Sequence, residues 1–201
     1  VLSESRHGIS VVVPVFNQRR TVKRAVRSVL NQLGDLDELI VIDDGSTDGS
    51  RSVLSEIEDS RFRLVIQENM GVSVARNVGV FHARQDYVAF LDADDWWRDG
   101  VIEAFRRMIC LLPTFSFCCV AHTRIPPNSQ VPLSYSGTNG RIETLECLQF
   151  IDRYRKKDIV NSSSVCIRKI LAQELGGFPA GQDSGEDIYL WLRLSKSGTV
   201  L

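Results

Sequence analysis

Strong charge of either sign is missing from this chain: 24 lysines and arginines stand against 25 aspartates and glutamates, a formal net charge of −1 over 201 residues. A balance so near zero leaves no electrostatic footprint for nucleic acid. It leaves none overall for a membrane surface either, although a local basic patch such as Arg153 to Lys157 stays open. Metal-type cysteine spacing is missing too. The five cysteines (Cys110, Cys118, Cys119, Cys147, Cys166) are odd in number and form no C-x-x-C or Cys/His cluster. Most read as small buried hydrophobes of a reducing compartment, and of the adjacent Cys118 and Cys119 at least one should face inward. Long hydrophobic runs are absent. The longest, near Met108 to Ala121, is broken by Pro113 and falls short of the ~20 residues that span a bilayer. The opening Val1 to His7 is polar, without the apolar core of a signal peptide. The expectation is a cytoplasmic protein with no integral membrane segment. The last residues, Gly198-Thr199-Val200-Leu201, read as a strand beginning, as in a piece of something longer.

What is present is a 43% hydrophobic chain of good core size for one globular domain. Ile9 to Val15 is a nearly pure β-branched run, the mark of a strand buried on both faces. Thr21 to Leu33 has apolar residues at helical spacing and Gly34 as its stop. Leu39 to Ile42 is a second buried strand, followed by the turn Asp43 to Ser50 and a helix from about Ser52. Strands at Phe62 to Ile66 and Tyr87 to Leu91 bracket a helix at Val72 to Ala83. This alternation predicts an α/β fold with a mostly parallel sheet, helices on both faces and right-handed crossovers. Beyond residue 100 the expected order is helix Val101 to Leu112, strand Phe115 to Ala121, helix around Thr144 to Arg153, strand Ser163 to Ile167 and helix Glu186 to Ser195. The proline- and glycine-marked segment between Thr123 and Arg141 reads as a long functional loop. A single domain over 8–201 is expected, in two halves, 8–100 and 101–201, the first of the doubly wound nucleotide-binding type.

Three predicted strand ends carry polar groups: Val15-Phe16-Asn17, Asp43-Asp44 and Asp92-Ala93-Asp94-Asp95. Carboxyl ends of parallel strands share one rim, where open α/β sheets bind ligands. An aromatic at Phe16 can stack on a flat base, and Asp44 can accept from a base N–H or a ribose hydroxyl. Acids near Asp94 can hold a hard divalent cation on phosphate oxygens. Blander readings exist for each. Phe16 can be plain core, Asp43 to Asp48 turn chemistry, and Asp94 or Asp95 the cap of a helix beginning near Trp97. Coincidence of all three at successive strand ends favours a site.

Together with Pro14, the segment Asn69 to Gly79, Gly176-Gly177-Phe178 and Gly185-Glu186-Asp187, these residues resemble the family 2 glycosyltransferases of the GT-A fold, from about residue 8 to the end. The resemblance implies a nucleotide-sugar donor bound by Pro14, Val15, Phe16, Asn17, Asp43, Asp44, Arg76, Asp92, Ala93 and Asp94. It implies a divalent metal, Mn2+ or Mg2+, on a D-x-D pair of Asp94 and Asp92. It makes 101–201 the acceptor and catalytic-base half and places the catalytic base at Asp187, with Glu186 as the second choice. Arg76 then reaches donor phosphates, against the alternative of an exposed helical arginine, and Asn77 is structural. The acids at 186 and 187 have a plain alternative as helix-start residues favoured by the macrodipole. Ile188, Trp191, Leu192 and Ser195 are expected to form that helix's inward stripe.

The reaction implied is metal-dependent, inverting transfer from a nucleoside diphosphate sugar, UDP-sugar being the first expectation, to a hydroxyl of a saccharide or other acceptor. One alternative is a nucleotide-sugar-binding module without turnover; a more distant one is a phospho-acceptor receiver. His7, His82 and His122 are poorly placed as further metal ligands, and no Q-x-x-R-W segment marks a processive synthase.

Overall fold

In the computed structural model, residues 7–122, 142–156, 160–182 and 184–201 are described. The first half follows the predicted alternation: β1 (Ile9–Val15), α1 (Val22–Leu30), β2 (Glu38–Asp44), α2 (Ser50–Ser55), β3 (Phe62–Gln67), α3 (Val72–His82) and β4 (Tyr87–Phe90). The second half adds α4 (Val101–Leu111), β5 (Phe117–Cys119), α5 (Cys147–Lys156), a 3-10 turn at Ser162–Ser164, β6 (Val165–Arg168), α6 (Lys169–Glu174) and α7 (Glu186–Ser197). The predicted loop between Thr123 and Arg141 lies outside the described residues.

The strands make one six-stranded sheet in the order β3-β2-β1-β4-β6-β5. β1 pairs in parallel with β2 and β4, and β2 with β3. β6 is antiparallel to both β4 and β5. The chain therefore winds outward from β1 to β3 and returns through α3 to the far side of β1. That reversal opens a crevice beyond the carboxyl ends of β1 and β4, the usual ligand position in such sheets.

Every residue of β1, β2 and β4 is buried, because helices cover both faces. Val11, Val13, Leu39, Val41 and Ala89 pack with α1 and α4 on one face. Val12, Ile40, Ile42, Val88 and Phe90 pack with α3 and α7 on the other. This two-residue alternation decides which acid at a strand end meets which helix. Below the sheet, Asp37 is fully buried at its side chain. Its Oδ1 accepts from the Ile9 amide at 2.9 Å and its Oδ2 from the Gly34 amide at 2.7 Å, with Arg106 as its ion-pair partner.

Several expectations need adjusting. No helix begins near Trp97: residues 92–100 are irregular with turns at 93–94 and 99–100, α4 starts at Val101 after Gly100 at φ 95°, and Trp97 is buried instead. α1 ends at Leu30, three residues before the predicted Leu33. Residues Ser162–Ser164 coil into the 3-10 turn, so β6 begins two residues later than the expected Ser163. Helix α6 was not anticipated. The inward stripe of α7 is Leu190, Trp191, Leu194 and Ser195, while Ile188 and Leu192 are only partly covered. Trp191 fixes that rotation by packing against Phe90, Phe117 and Phe178, with ring centroids 6.3, 5.7 and 5.6 Å away. Cys118 is buried and Cys119 partly so. Val200 bridges to Phe117 and Leu145, consistent with the strand-like end. Among the described residues no helix is long and apolar enough to cross a membrane.

Helix α3 lies so close over β1 that a Cβ on Gly79 would meet Val12 Cγ1 at 2.2 Å. Alanine normally favours a helix, but here the clash with a β-branched core residue outweighs propensity. Gly79→Ala is expected to lower unfolding free energy by about 1–3 kcal/mol in urea titration; equal or higher stability would show that α3 can lift without penalty.

Candidate active site

A pocket of about 350 Å3 opens at the crevice, lined by Pro14, Val15, Phe16, Gln18, Asp44, Asn69, Gly71, Val72, Ala75, Arg76, Asp92, Ala93 and Asp94. This is the size of a small-ligand site, roughly 300–1,000 Å3. Eight of the residues named from the sequence for the donor come together here: Pro14, Val15, Phe16, Asp44, Arg76, Asp92, Ala93 and Asp94. Phe16 leaves 48% of its surface open on the wall, so it is not plain core.

Asn17 and Asp43 do not line the pocket. They hold the turn beside it. Asn17, at φ 53°, accepts from the Thr47 amide through Oδ1 at 2.8 Å and donates its own amide to Ser46 Oγ at 3.0 Å. Asp43 is fully buried, accepting from the Ser46 amide at 2.9 Å and pairing with Arg51 Nε at 2.7 Å. Asp44, one residue on, points the other way. Its Oδ1 accepts from Gln67 Nε2 at 2.6 Å and from the Met70 amide at 2.9 Å, and its Oδ2 from the Gly71 amide at 2.9 Å. With two donors already on Oδ1 and one on Oδ2, one lone-pair direction of Oδ2 is left for a ligand.

Arg76 is the centre of the site. It is 3% exposed, and donates to Asp92 Oδ1 and to Glu186 Oε1, both at 2.8 Å. Burial, the largest influence, works against its charge, yet Asp92 and Glu186 together hold its pKa above the usual arginine value. The opposite balance holds at Asp92. Burial pushes its carboxyl up, Arg76 pulls it down, and the neighbouring Asp95 and Asp94 push it up again, leaving it raised. A third of the Asp92 side chain remains exposed, so water and ions still reach it. The expected alternative, an exposed helical arginine, does not hold.

The Ser162–Ser164 turn, capped where Ser164 Oγ accepts from the Asn161 amide at 3.1 Å, organises the floor. Ser163 Oγ accepts from the Asp92 amide at 3.0 Å and donates to Asp95 Oδ2 at 2.6 Å, while its carbonyl accepts from Trp97 Nε1 at 2.6 Å. Ser162 Oγ donates to Asp187 Oδ2 at 3.1 Å. Neither Glu186 nor Asp187 lines the pocket, but Arg76 and Ser162 tie them to it. Asn77 is structural: it exchanges 2.8 Å hydrogen bonds with both the amide and the carbonyl of Phe178, clamping the approach to α7 onto α3.

Asp94 is exposed on the pocket wall, and its carboxylate receives no hydrogen bond or ion pair from the described residues. Asp92 keeps Oδ2 outside its bond to Arg76. Two hard oxygen donors on one wall fit a cation that completes its shell with ligand phosphates and water. An all-protein cage does not fit, since no metal-type group of three or more acids, histidines or cysteines exists among the described residues.

The family model for glycosyl transferase family 2 matches residues 10–172. The putative teichuronic acid biosynthesis glycosyltransferase TuaG of Bacillus subtilis is 43% identical over 98 residues, covering 47% of this chain and 39% of that protein. The UDP-Glc:alpha-D-GlcNAc-diphosphoundecaprenol beta-1,3-glucosyltransferase WfgD of Escherichia coli is 29% identical over 194 residues, covering 96% of this chain and 71% of that protein. Among solved structures, S. aureus TarS 1-349 in complex with UDP-GlcNAc superimposes with a TM-score of 0.76 at 21% identity, over 96% of this chain and 56% of TarS 1-349. Mannosyltransferase PcManGT from Pyrobaculum calidifontis, in complex with GDP-Man and Mn2+, gives 0.61 at 23% identity, over 89% of this chain and 49% of that one. At these identities the structures establish the fold, the expected GT-A arrangement. The chain spans well under two thirds of the length of TuaG.

Removing Arg76 strands two carboxylates at once. Truncation of a buried pair commonly costs about 3–5 kcal/mol, and the partial exposure of Asp92 places Arg76→Met near the lower end, about 3 kcal/mol. Chemical denaturation measures this; a change below about 1 kcal/mol, the scale of a surface pair, would remove Arg76 as the link.

Proposed function

The chain belongs to glycosyl transferase family 2, and from that premise we propose that it transfers a sugar from a nucleoside diphosphate sugar to an acceptor hydroxyl. The observation that carries this reading is the pocket at the β1/β4 crevice with Asp92 and Asp94 on one wall and the start of α7 tied to its floor. In this reading Phe16 stacks on the base, and the remaining lone pair of Asp44 Oδ2 accepts from a base N–H or ribose hydroxyl. UDP is the favoured nucleotide, because WfgD is named for UDP-Glc and TarS is seen with UDP-GlcNAc.

Asp94, with Asp92, would hold a divalent cation, whose chemistry when bound is Lewis-acid stabilisation of charge on the leaving diphosphate. Arg76 stands at the same wall, its charge shared by two carboxylates, and fixes the position of Asp92 before any ligand arrives. Asp187 is the base. Its Oδ2 is oriented by Ser162 Oγ and its Oδ1 accepts from the Ile188 amide at 2.7 Å, so the carboxylate is held in one rotamer at the helix start. It takes the proton of the acceptor hydroxyl as that oxygen attacks the anomeric carbon. Glu186 is the poorer choice, because its Oε1 is spent on Arg76 and its side chain is only 13% exposed. A single displacement inverts the anomeric centre. The acceptor is a saccharide or other hydroxyl compound.

Two substitutions separate binding from chemistry. Asp94→Ala is expected to leave nucleoside diphosphate affinity the same with and without manganese in calorimetry; a preserved manganese effect would move the cation elsewhere. Asp187→Asn is expected to keep donor binding and lose turnover by about 10²–10⁴-fold, the usual worth of a general base. Undiminished transfer by Asp187→Asn would reassign the base to Glu186 or beyond.

A further inference from the structure

The turn before α1 and the outer face of that helix carry a cationic array that the proposed reaction does not use. Arg19, Arg20, Lys23, Arg24 and Arg27 fall within nine residues, all exposed, in a chain whose overall charge is −1. Helix α1 contains no acid, and among the described residues none of the five side chains makes an ion pair. Part of the array opposes helix formation, although Arg27 in the last turn is favoured by the macrodipole. Within α1, Arg27 stands four residues after Lys23 and three after Arg24, like charges that repel along a helix. Lys23 and Arg24 sit in the first turn, where the macrodipole disfavours cations. A solvated face chosen for stability would mix in acids. This one does not.

Its placement points to an accessory surface for the same active site. The array begins directly after the pocket-lining Phe16 and Gln18. Arg24 donates to the Asp94 carbonyl at 2.9 Å and lies 4.0 Å over the ring of Trp96. The face is a convex helix about 12 Å long, without the concavity that a soluble small anion needs. A flat surface of laterally mobile anions suits it, and a tryptophan beside basic residues is the composition of the water–lipid boundary. We propose that α1 docks this protein peripherally on a bilayer rich in anionic phospholipid, setting the mouth of the pocket beside the lipid surface. This stands apart from the donor chemistry.

The test is flotation of the chain with vesicles of equal phosphatidylglycerol and phosphatidylcholine, and with phosphatidylcholine alone. Binding to the anionic vesicles only, weakened by salt, is expected. R20Q/K23Q/R27Q, three positions that touch neither pocket nor core, should reduce vesicle affinity on the order of 100-fold, since each cation near such a surface contributes about 1 kcal/mol. The same variant should bind nucleoside diphosphates as the parent does and melt no lower, which separates this proposal from the donor reading. Equal binding to both vesicle types, or unchanged affinity in the variant, would overturn it. So would tighter binding to soluble polyphosphate than to the anionic vesicles at equal phosphate concentration, which would mark the face as a site for a dissolved polyanion.

Discussion

A buried guanidinium between two carboxylates fixes the geometry of this molecule. Arg76 comes from the first turns of α3, Asp92 from the end of β4 and Glu186 from the first turn of α7, partners 16 and 110 residues away. A charge in that position is costly unless both partners are in place. The pocket floor and the helix carrying the proposed base are therefore set together. The aromatic packing around Trp191 and the Asn77 clamp on Phe178 deliver α7 to the point where the bridge can form. Fold and site share one constraint.

The proposed chemistry follows from what this bridge leaves available. Arg76 consumes one oxygen of Asp92 and one of Glu186. What remains open is Asp94 on the pocket wall and Asp187 on the flank held by Ser162, one suited to a cation and one to a proton. Ser162 and Ser163 are neighbours in a single turn, and they hold opposite sides of the proposed reaction zone: Ser163 the β4 loop, Ser162 the proposed base Asp187.

Much of this was legible in the sequence where the signal is local. The β-branched run at Ile9 to Val15 and the apolar run at Leu39 to Ile42 are buried on both faces, so composition alone marks them as central strands. The acids at the strand ends follow from the same reading. Less legible was which of two adjacent acids faces the ligand. Asp43 and Asp44 differ only in the phase of the strand, and that phase is set by α2 on one side and the Met70-Gly71 turn on the other. The stripe of α7 slipped for a related reason, since Trp191 is oriented by Phe117 and Phe178 from distant segments. The contacts of Ser162 and Ser163 with the site, and the burial of Arg76, depend on partners far along the chain and have no local pattern. Net charge concealed the α1 array, because acids elsewhere cancel it in the total.

The central claim is that the β1/β4 pocket holds a nucleoside diphosphate through its base and, with a cation on Asp92 and Asp94, through its phosphates. Calorimetric titration of UDP, GDP, CDP and ADP, each with and without manganese, tests it most directly. The account predicts saturable binding of one nucleotide, UDP foremost, tightened by manganese on the order of tenfold or more, about 1.4 kcal/mol. Absence of binding by all four under both conditions would contradict it.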